Sequence, residues 1–301
     1  MGYRQLAVSG GEPLLYSRLA DLLAEARRLG FVTTLTTNGL LLNGSRWQRM
    51  APMVDVVAVS IDGDPDTHDA LRRQWGSRRR TADNLRTLRD AGSAFSLIFT
   101  LTQYNVDQLE GVVTLAANAG AVAVQVHPLS AHGRAEQTMA EAVPDSTELL
   151  AALIEAKRLA REYGISVHVD VLTADQISRF RDHLVPTLPA ALPSDLLPIL
   201  IVEADGAVVP LVHGLREQFA IGVLGRERLR EQLPRWAQGT GGASIAELCA
   251  RTWSELTETR HEPVVYWWGA LVAHSTRVRC ADRSTSILQH SPADRPGVLC
   301  L

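Results

Sequence analysis

The 301-residue chain almost lacks lysine: Lys157 stands alone beside 29 arginines. A bias of that kind reflects the base composition of the coding sequence, and it weakens any argument built on arginine clusters. The run Arg78-Arg79-Arg80 is accordingly read as a solvated helix entrance, not as a phosphate site. Cysteine is scarce too. Cys249, Cys280 and Cys300 are separated by 31 and 20 residues, which fits no compact metal-ligand spacing, and an odd count closes no disulfide framework. The expectation is a reduced, cytoplasmic protein with incidental thiols. No window approaches the ~18 uninterrupted apolar residues of a membrane span, and the N-terminus has no basic run followed by an apolar stretch, so neither a membrane span nor a secretory signal is read. Net charge is only −3, which gives no case for a nucleic-acid partner. What remains is ordinary globular composition, 46% hydrophobic and 21% charged, at a length that an α/β barrel can use alone.

The first half alternates regularly. Residues 3–8 form a β-prone run ended by Ser9-Gly10-Gly11; residues 17–29 place Leu19, Leu22, Leu23, Ala26 and Leu29 at helical spacing, and Gly30 stops them. Residues 31–37 are rich in β-branched side chains and end at Asn38-Gly39. A helix over 45–50 follows. Residues 54–61 are nearly continuously apolar, the pattern of a strand covered on both faces, and end at Asp62-Gly63. Helices over 81–91, 106–119 and 145–163 alternate with strands over 94–101, 122–126 and 165–171. Such alternation means βαβ units and a parallel sheet. The second half differs. Pro186, Pro189, Pro193 and Pro198 mark a linker, and Asp205-Gly206 signals a two-residue hairpin between 199–203 and 207–212. Helices are expected over 226–236 and 245–256, separated by Gly239-Thr240-Gly241-Gly242, and the polar tail from Ser275 is expected to be disordered.

Each strand of the first half ends in polar or glycine-containing residues: Ser9-Gly10-Gly11-Glu12, Thr36-Thr37-Asn38-Gly39, Ser60-Ile61-Asp62-Gly63, Thr102-Gln103-Tyr104-Asn105 and His127-Pro128. Parallel α/β folds bind ligands at the carboxyl ends of their strands, so five such ends nominate one mouth. Paired glycines admit a ligand close to the backbone, and Glu12 before Pro13 is held extended. Carbonyls and the Glu12 carboxylate suit an ammonium; amides suit a carboxylate. Asn38, Ser60 and Asp62 can hydrogen-bond ribose hydroxyls or the same zwitterion.

Gly10-Gly11-Glu12-Pro13, Thr37-Asn38-Gly39 and Val59-Ser60-Ile61-Asp62-Gly63, the last followed by His68-Asp69 and Arg72, resemble the radical SAM superfamily, in particular its peptide-modifying subgroup with SPASM or Twitch C-terminal domains. The resemblance runs from about Tyr3 to Pro128. Residues 202–210 with Ala220-Ile221-Gly222 look like the opening of a SPASM-type domain. The resemblance implies a partial (β/α)6 TIM-type barrel over 1–185, a small degenerate SPASM/Twitch-like cap over 186–274 and a tail over 275–301. It implies S-adenosylmethionine at the mouth, with Gly10, Gly11 and Glu12 lining the methionyl amino group, Ser60 and Asp62 near the ribose and methionyl part, and Asn105, Val126 and His127 near the nucleoside. The family's Cys-x3-Cys-x2-Cys loop, which holds its [4Fe–4S] cluster, has no counterpart here, and Leu211 stands where the SPASM pattern has cysteine. The expectation is therefore a barrel without its first βα unit, in a fragment or a chain with a wrongly assigned start, with no auxiliary cluster and no metal ligands of its own.

Three functions compete. In the first, the full-length protein is a radical SAM enzyme that takes an electron from a donor, generates a 5′-deoxyadenosyl radical and modifies a peptide or small natural product. No catalytic acid or base is assigned; His68, His127 and His132 are candidates by position only. In the second, the chain is a non-catalytic SAM- or peptide-binding paralogue that has lost the cluster. In the third, it is an unrelated α/β enzyme acting on phosphate or carboxylate substrates.

Overall fold

Residues 4–171 lay down one parallel sheet. The computed structural model describes residues 1–130, 134–188, 190, 192–259 and 262–277. The strands β1 (Gln5–Val8), β2 (Val32–Thr37), β3 (Val56–Ser60), β4 (Phe95–Leu101), β5 (Ala123–Pro128) and β6 (Ser166–Val169) pair in chain order. Every pairing is parallel, and each parallel step needs a crossover. The crossovers are α1 (Leu19–Arg28), α2 (Ser45–Met50), α3 (Pro65–Arg72) with α4 (Ser77–Asp90), α5 (Leu109–Ala119), and α6 (Arg134–Thr138) with α7 (Ser146–Tyr163). This is the sheet of a partial TIM-type barrel. Local chemistry sets the helix ends. The Asp145 carboxylate caps α7 in a reciprocal box with Glu148, and Gly164 at φ 64° closes it. Asp64 caps α3, which the sequence reading passed over; Pro65 takes its first turn, where no amide partner is needed.

Register sorts the strands into two faces. Leu35, Val57 and Phe95 lie in one rung, and Val59, Leu97 and Val124 in another. All are at most 1% exposed, as are Phe99 and Val126 of the rung above. At ~1.5–3 kcal/mol for each large side chain buried, this face stabilises the sheet. The alternate positions are mainly small or polar (Thr34, Thr36, Ala58, Ser60, Ser96, Thr100, Gln125, His127 and His168), with Val32, Val56 and Ile98 the large apolar exceptions. The expectation that 54–61 is covered on both faces agrees with the burial of β3: Val57, Ala58, Val59, Ser60 and the following Ile61 are all buried, and Val56 is partly exposed at its start.

Arg78 is not the solvated residue expected. Asp69, buried at the end of α3, accepts hydrogen bonds from the amides of Gly76 and Arg78 and from Ser77 Oγ, and so caps α4. Arg78 Nε donates to Gly63 O at 2.9 Å, and burial lowers its pKa from the usual arginine value. Arg79 and Arg80 are exposed.

The second unit comprises Met1–Tyr3 and the chain from Leu172. It begins earlier than the 186 expected, because β7 (Leu172–Thr173) pairs antiparallel with β11 (Val264–Val265) and Thr173 caps α8 (Ala174–Arg179), whose Ile177 is a core residue of this unit. α9 (Arg181–Leu184) precedes the stretch read as linker, and α10 (Pro193–Leu196) lies within it. β8 (Leu200–Val202), β9 (Ala207–Pro210) and β10 (Gly222–Val223) form an antiparallel sheet with the expected hairpin at Gly206, φ 84°. α11 (Leu229–Gln238), α12 (Thr240–Ser254) and α13 (Trp267–Arg277) complete it. Leu211, Leu215, Phe219, Leu233, Ile245 and Leu271 are among its core residues, and Leu211 holds a left-handed φ of 64°. Gly241 and Gly242 lie inside α12, not in a linker: a Cβ on either would collide with Trp236 or the backbone of Ala237, so the glycines serve close packing at the α11–α12 corner. Ser275 to Arg277 finish α13, and the rest of the expected disordered tail lies outside the described residues. Among the described residues no helix is long and apolar enough to cross a membrane.

Candidate functional site at the strand ends

The first loop follows β1. Gly10 adopts φ 125°, a conformation that favours glycine, and Gly10 and Gly11 are exposed. The Glu12 carboxylate accepts from Leu14 N at 3.1 Å, Thr37 Oγ1 at 2.8 Å and Asn38 N at 2.9 Å. It pins the loop to the end of β2, and Thr37 Oγ1 also lies 2.9 Å from the second carboxylate oxygen, so both oxygens are engaged within the protein. Asn38 Oδ1 accepts from Leu40 N at 2.9 Å, and its side chain is half-buried. Gly39, φ 80°, lies under Thr81 and Val59, whose methyl groups would stand 2.5 and 2.9 Å from an added Cβ.

The third strand end is sealed. Asp62 is 1% exposed. Its carboxylate accepts from Arg72 Nε and from Thr100 N, the latter at 3.2 Å, and so ties α3 and β4 to the end of β3. His68 Nδ1 accepts from the Asp62 amide at 3.1 Å, and burial pushes the imidazole pKa down from 6.5 to about 4. His68 is therefore a neutral internal acceptor. Asn105, 0% exposed, donates to Asp62 O and Thr100 O and accepts from Thr102 N and Oγ1. Its carboxamide is used up inside the protein, so it holds the loop in place of the ligand contact expected of it. Val126 turns its side chain into the apolar face, and only its backbone reaches the strand end.

At the far side of the sheet, His127 ends β5 and Asp170 follows β6, with Nδ1 and Oδ2 3.5 Å apart. Gly10, Gly11, Glu12, Asn38 and His127 thus belong to the accessible edge, Ser60 is 7% exposed at the end of β3, and Asp62, Asn105 and Val126 support the edge from within. His132 lies outside the described residues. Sequence reasoning missed Asp170, Thr100 and Gln125; alternation inside β4 and β5 could have marked Thr100 and Gln125, whereas Asp170 carries no local signal.

The donor set at this edge (backbone of Gly10-Gly11, a carboxylate, a carboxamide, a hydroxyl and an imidazole) fits an amino-acid zwitterion with attached hydroxyls, as S-adenosylmethionine carries. It does not fit an iron–sulfur cluster, which needs thiolates. Among the described residues no group of three or more His, Cys, Asp or Glu is placed to hold a metal. Cys249 is buried in the second unit, where burial pushes its thiol up to about 12.

Residues 1–116 match the Radical SAM superfamily. Pre-heme d1 synthase of Dinoroseobacter shibae is 31% identical over 172 residues, 56% of this chain and 43% of its own length. PqqA peptide cyclase of Xanthomonas oryzae pv. oryzae is 28% identical over 181 residues, 60% and 49% of the two chains. The chain therefore spans about half the length of the curated relatives it matches. Streptococcus suis SuiB bound to S-adenosylmethionine has a similar fold, with TM-score 0.58 at 15% identity over 81% of this chain and 57% of that one. anSMEcpe with bound AdoMet and Kp18Cys peptide gives 0.57 at 15% identity over 93% and 85%. The strand ends at residues 9–12, 36–39, 60–63 and 102–105 lie within the segment that matches the radical SAM superfamily, and His127-Pro128 lies beyond it.

Proposed function

We propose that residues 4–171 bind S-adenosylmethionine at the carboxyl ends of the strands, as part of an enzyme that modifies a peptide or natural-product substrate with an electron donor. The observation that carries this reading is the open Gly10-Gly11 turn, set beside the Glu12 carboxylate and the polar face of the sheet. Gly10, Gly11 and the Glu12 carboxylate receive the amino-acid end. Asn38 and Ser60 offer hydrogen bonds to hydroxyls, and Asp62 and Asn105 keep the neighbouring loops in place. When bound, S-adenosylmethionine supplies the radical precursor; the protein's part is to orient it and exclude water. The relatives' printed names and titles, peptide cyclase and a bound peptide among them, favour a peptide substrate. The described residues contain no thiolate set for a cluster, so no step is derived through one. That same feature favours a second reading, a binding protein without radical chemistry. Calorimetric titration of S-adenosylmethionine into wild type and Gly10→Val tests the assignment. A valine at φ 125° is strained and fills the turn, so affinity should fall at least ten-fold while circular dichroism stays unchanged. Equal affinity in a folded variant overturns the reading. Release of 5′-deoxyadenosine on reduction separates the enzyme from the binder.

A further inference from the structure

The register of the sheet makes neighbours of two residues that lie 43 positions apart in sequence. Val126 pairs with Val169, so the next residues, His127 and Asp170, stand side by side at the last rung. The amide of Asp170 donates to Val126 O at 2.9 Å, which fixes the backbone at that point. Nδ1 and Oδ2 are 3.5 Å apart, a separation that a small ring rotation closes into a hydrogen bond. The two side chains are 43% and 36% exposed, so the pair is open to a ligand at the strand ends.

The other histidine–carboxylate pairs named among the described residues lack this combination. His68 is sealed inside, with Nδ1 occupied by the Asp62 amide. His274 is buried in the second unit between Thr252 and Glu255. His213 meets Glu203 next to the β8–β9 hairpin, outside the parallel sheet.

We propose that His127, backed by Asp170, is the proton acceptor of this mouth, taking a proton from an N–H or O–H group of the substrate. The proposal rests on the binding of a ligand at the strand ends argued above and adds a residue for its chemistry. A carboxylate beside Nδ1 favours the tautomer protonated there and leaves the lone pair of Nε2 for the ligand. In the step, the X–H bond of the substrate breaks and its electron pair stays on X. The Nε2–H bond forms, and the new imidazolium is balanced by Asp170. Nothing is oxidised or reduced. Of the strands flanking β5, β6 brings His168 and the following Asp170, while β4 brings no ionisable side chain. Asp62, which follows β3, is engaged by Arg72 and Thr100 N.

The test uses the whole chain with nitrogen-15-labelled histidine. In wild type the His127 ring should be mainly the Nδ1–H tautomer, and diethyl pyrocarbonate should acylate its Nε2, followed by mass spectrometry. Asp170→Asn should shift the ring towards the Nε2–H tautomer and slow acylation of His127 at least three-fold, while Asp170→Glu should retain both properties. Identical tautomer populations and acylation rates in wild type and Asp170→Asn overturn the proposal. Calorimetry with S-adenosylmethionine on the same samples reports separately on the proposed function, so failure of one reading is distinguishable from failure of the other.

Discussion

The two faces of the parallel sheet are built from the same strands and share one backbone, yet they carry different burdens. On one face Leu35, Val57, Val59, Leu97, Phe99 and Val126 are almost fully buried. On the other, Thr34, Thr36, Gln125, His127 and His168 retain exposure, and Ser96 Oγ is buried without a partner among the described residues. Because side chains alternate along a strand, stability and chemistry are separated by position parity alone. The polar face can change its residues to suit a ligand without disturbing the packing behind it.

Phe99→Ala gives the comparison its hardest trial. Phe99 is 0% exposed in the middle of the central β4, and its truncation should cost about 3–5 kcal/mol, read as a shift in the urea midpoint. A cost below about 1 kcal/mol would mean that the apolar face does not carry the stability. His68 gives a smaller effect that depends on pH. Its folded pKa is depressed to about 4 by burial, so between 6.5 and about 4 the unfolded chain binds more protons than the folded one. Stability should fall as pH drops through that window, by up to about 1.4 kcal/mol per pH unit, and the loss should level off below it. In His68→Gln, whose carbonyl can still accept from the Asp62 amide, that part of the slope should vanish; parallel profiles for the two proteins would refute the account. The smallest effect belongs to the polar face. Gln125→Ala should change stability by less than about 0.5 kcal/mol, and a loss comparable to that of Phe99→Ala would erase the distinction between the faces.

Much of this was legible before any coordinates. Apolar spacing and glycine stops located α1, α5 and α7, and Asp205-Gly206 located the β8–β9 hairpin, because these signals are local. The strand-end loops stood out for the same reason. What stayed hidden depended on contacts distant in sequence. Asn105 reads as an exposed loop residue until its partners at Asp62 and Thr100 are seen. Asp69 reads as part of a family motif, and its work is to cap the next helix. Gly241 and Gly242 read as a break because helix propensity disfavours glycine, whereas the crowded α11–α12 corner requires it. Asp170 had no local signal at all; only strand register brings it to His127.

The left–right assignment of side chains has a further consequence for how such a chain tolerates changes of length. Inserting one residue between Leu97 and Phe99 would reverse the parity of the rest of β4, turning Phe99 and Leu101 to the open face and Thr100 into the packed one. A two-residue insertion restores the parity but breaks the rung that joins Thr100 to His127. Insertions and deletions are therefore confined to the connectors, such as the segment between β5 and α7, where chain length can drift while the spacing within each strand is held fixed.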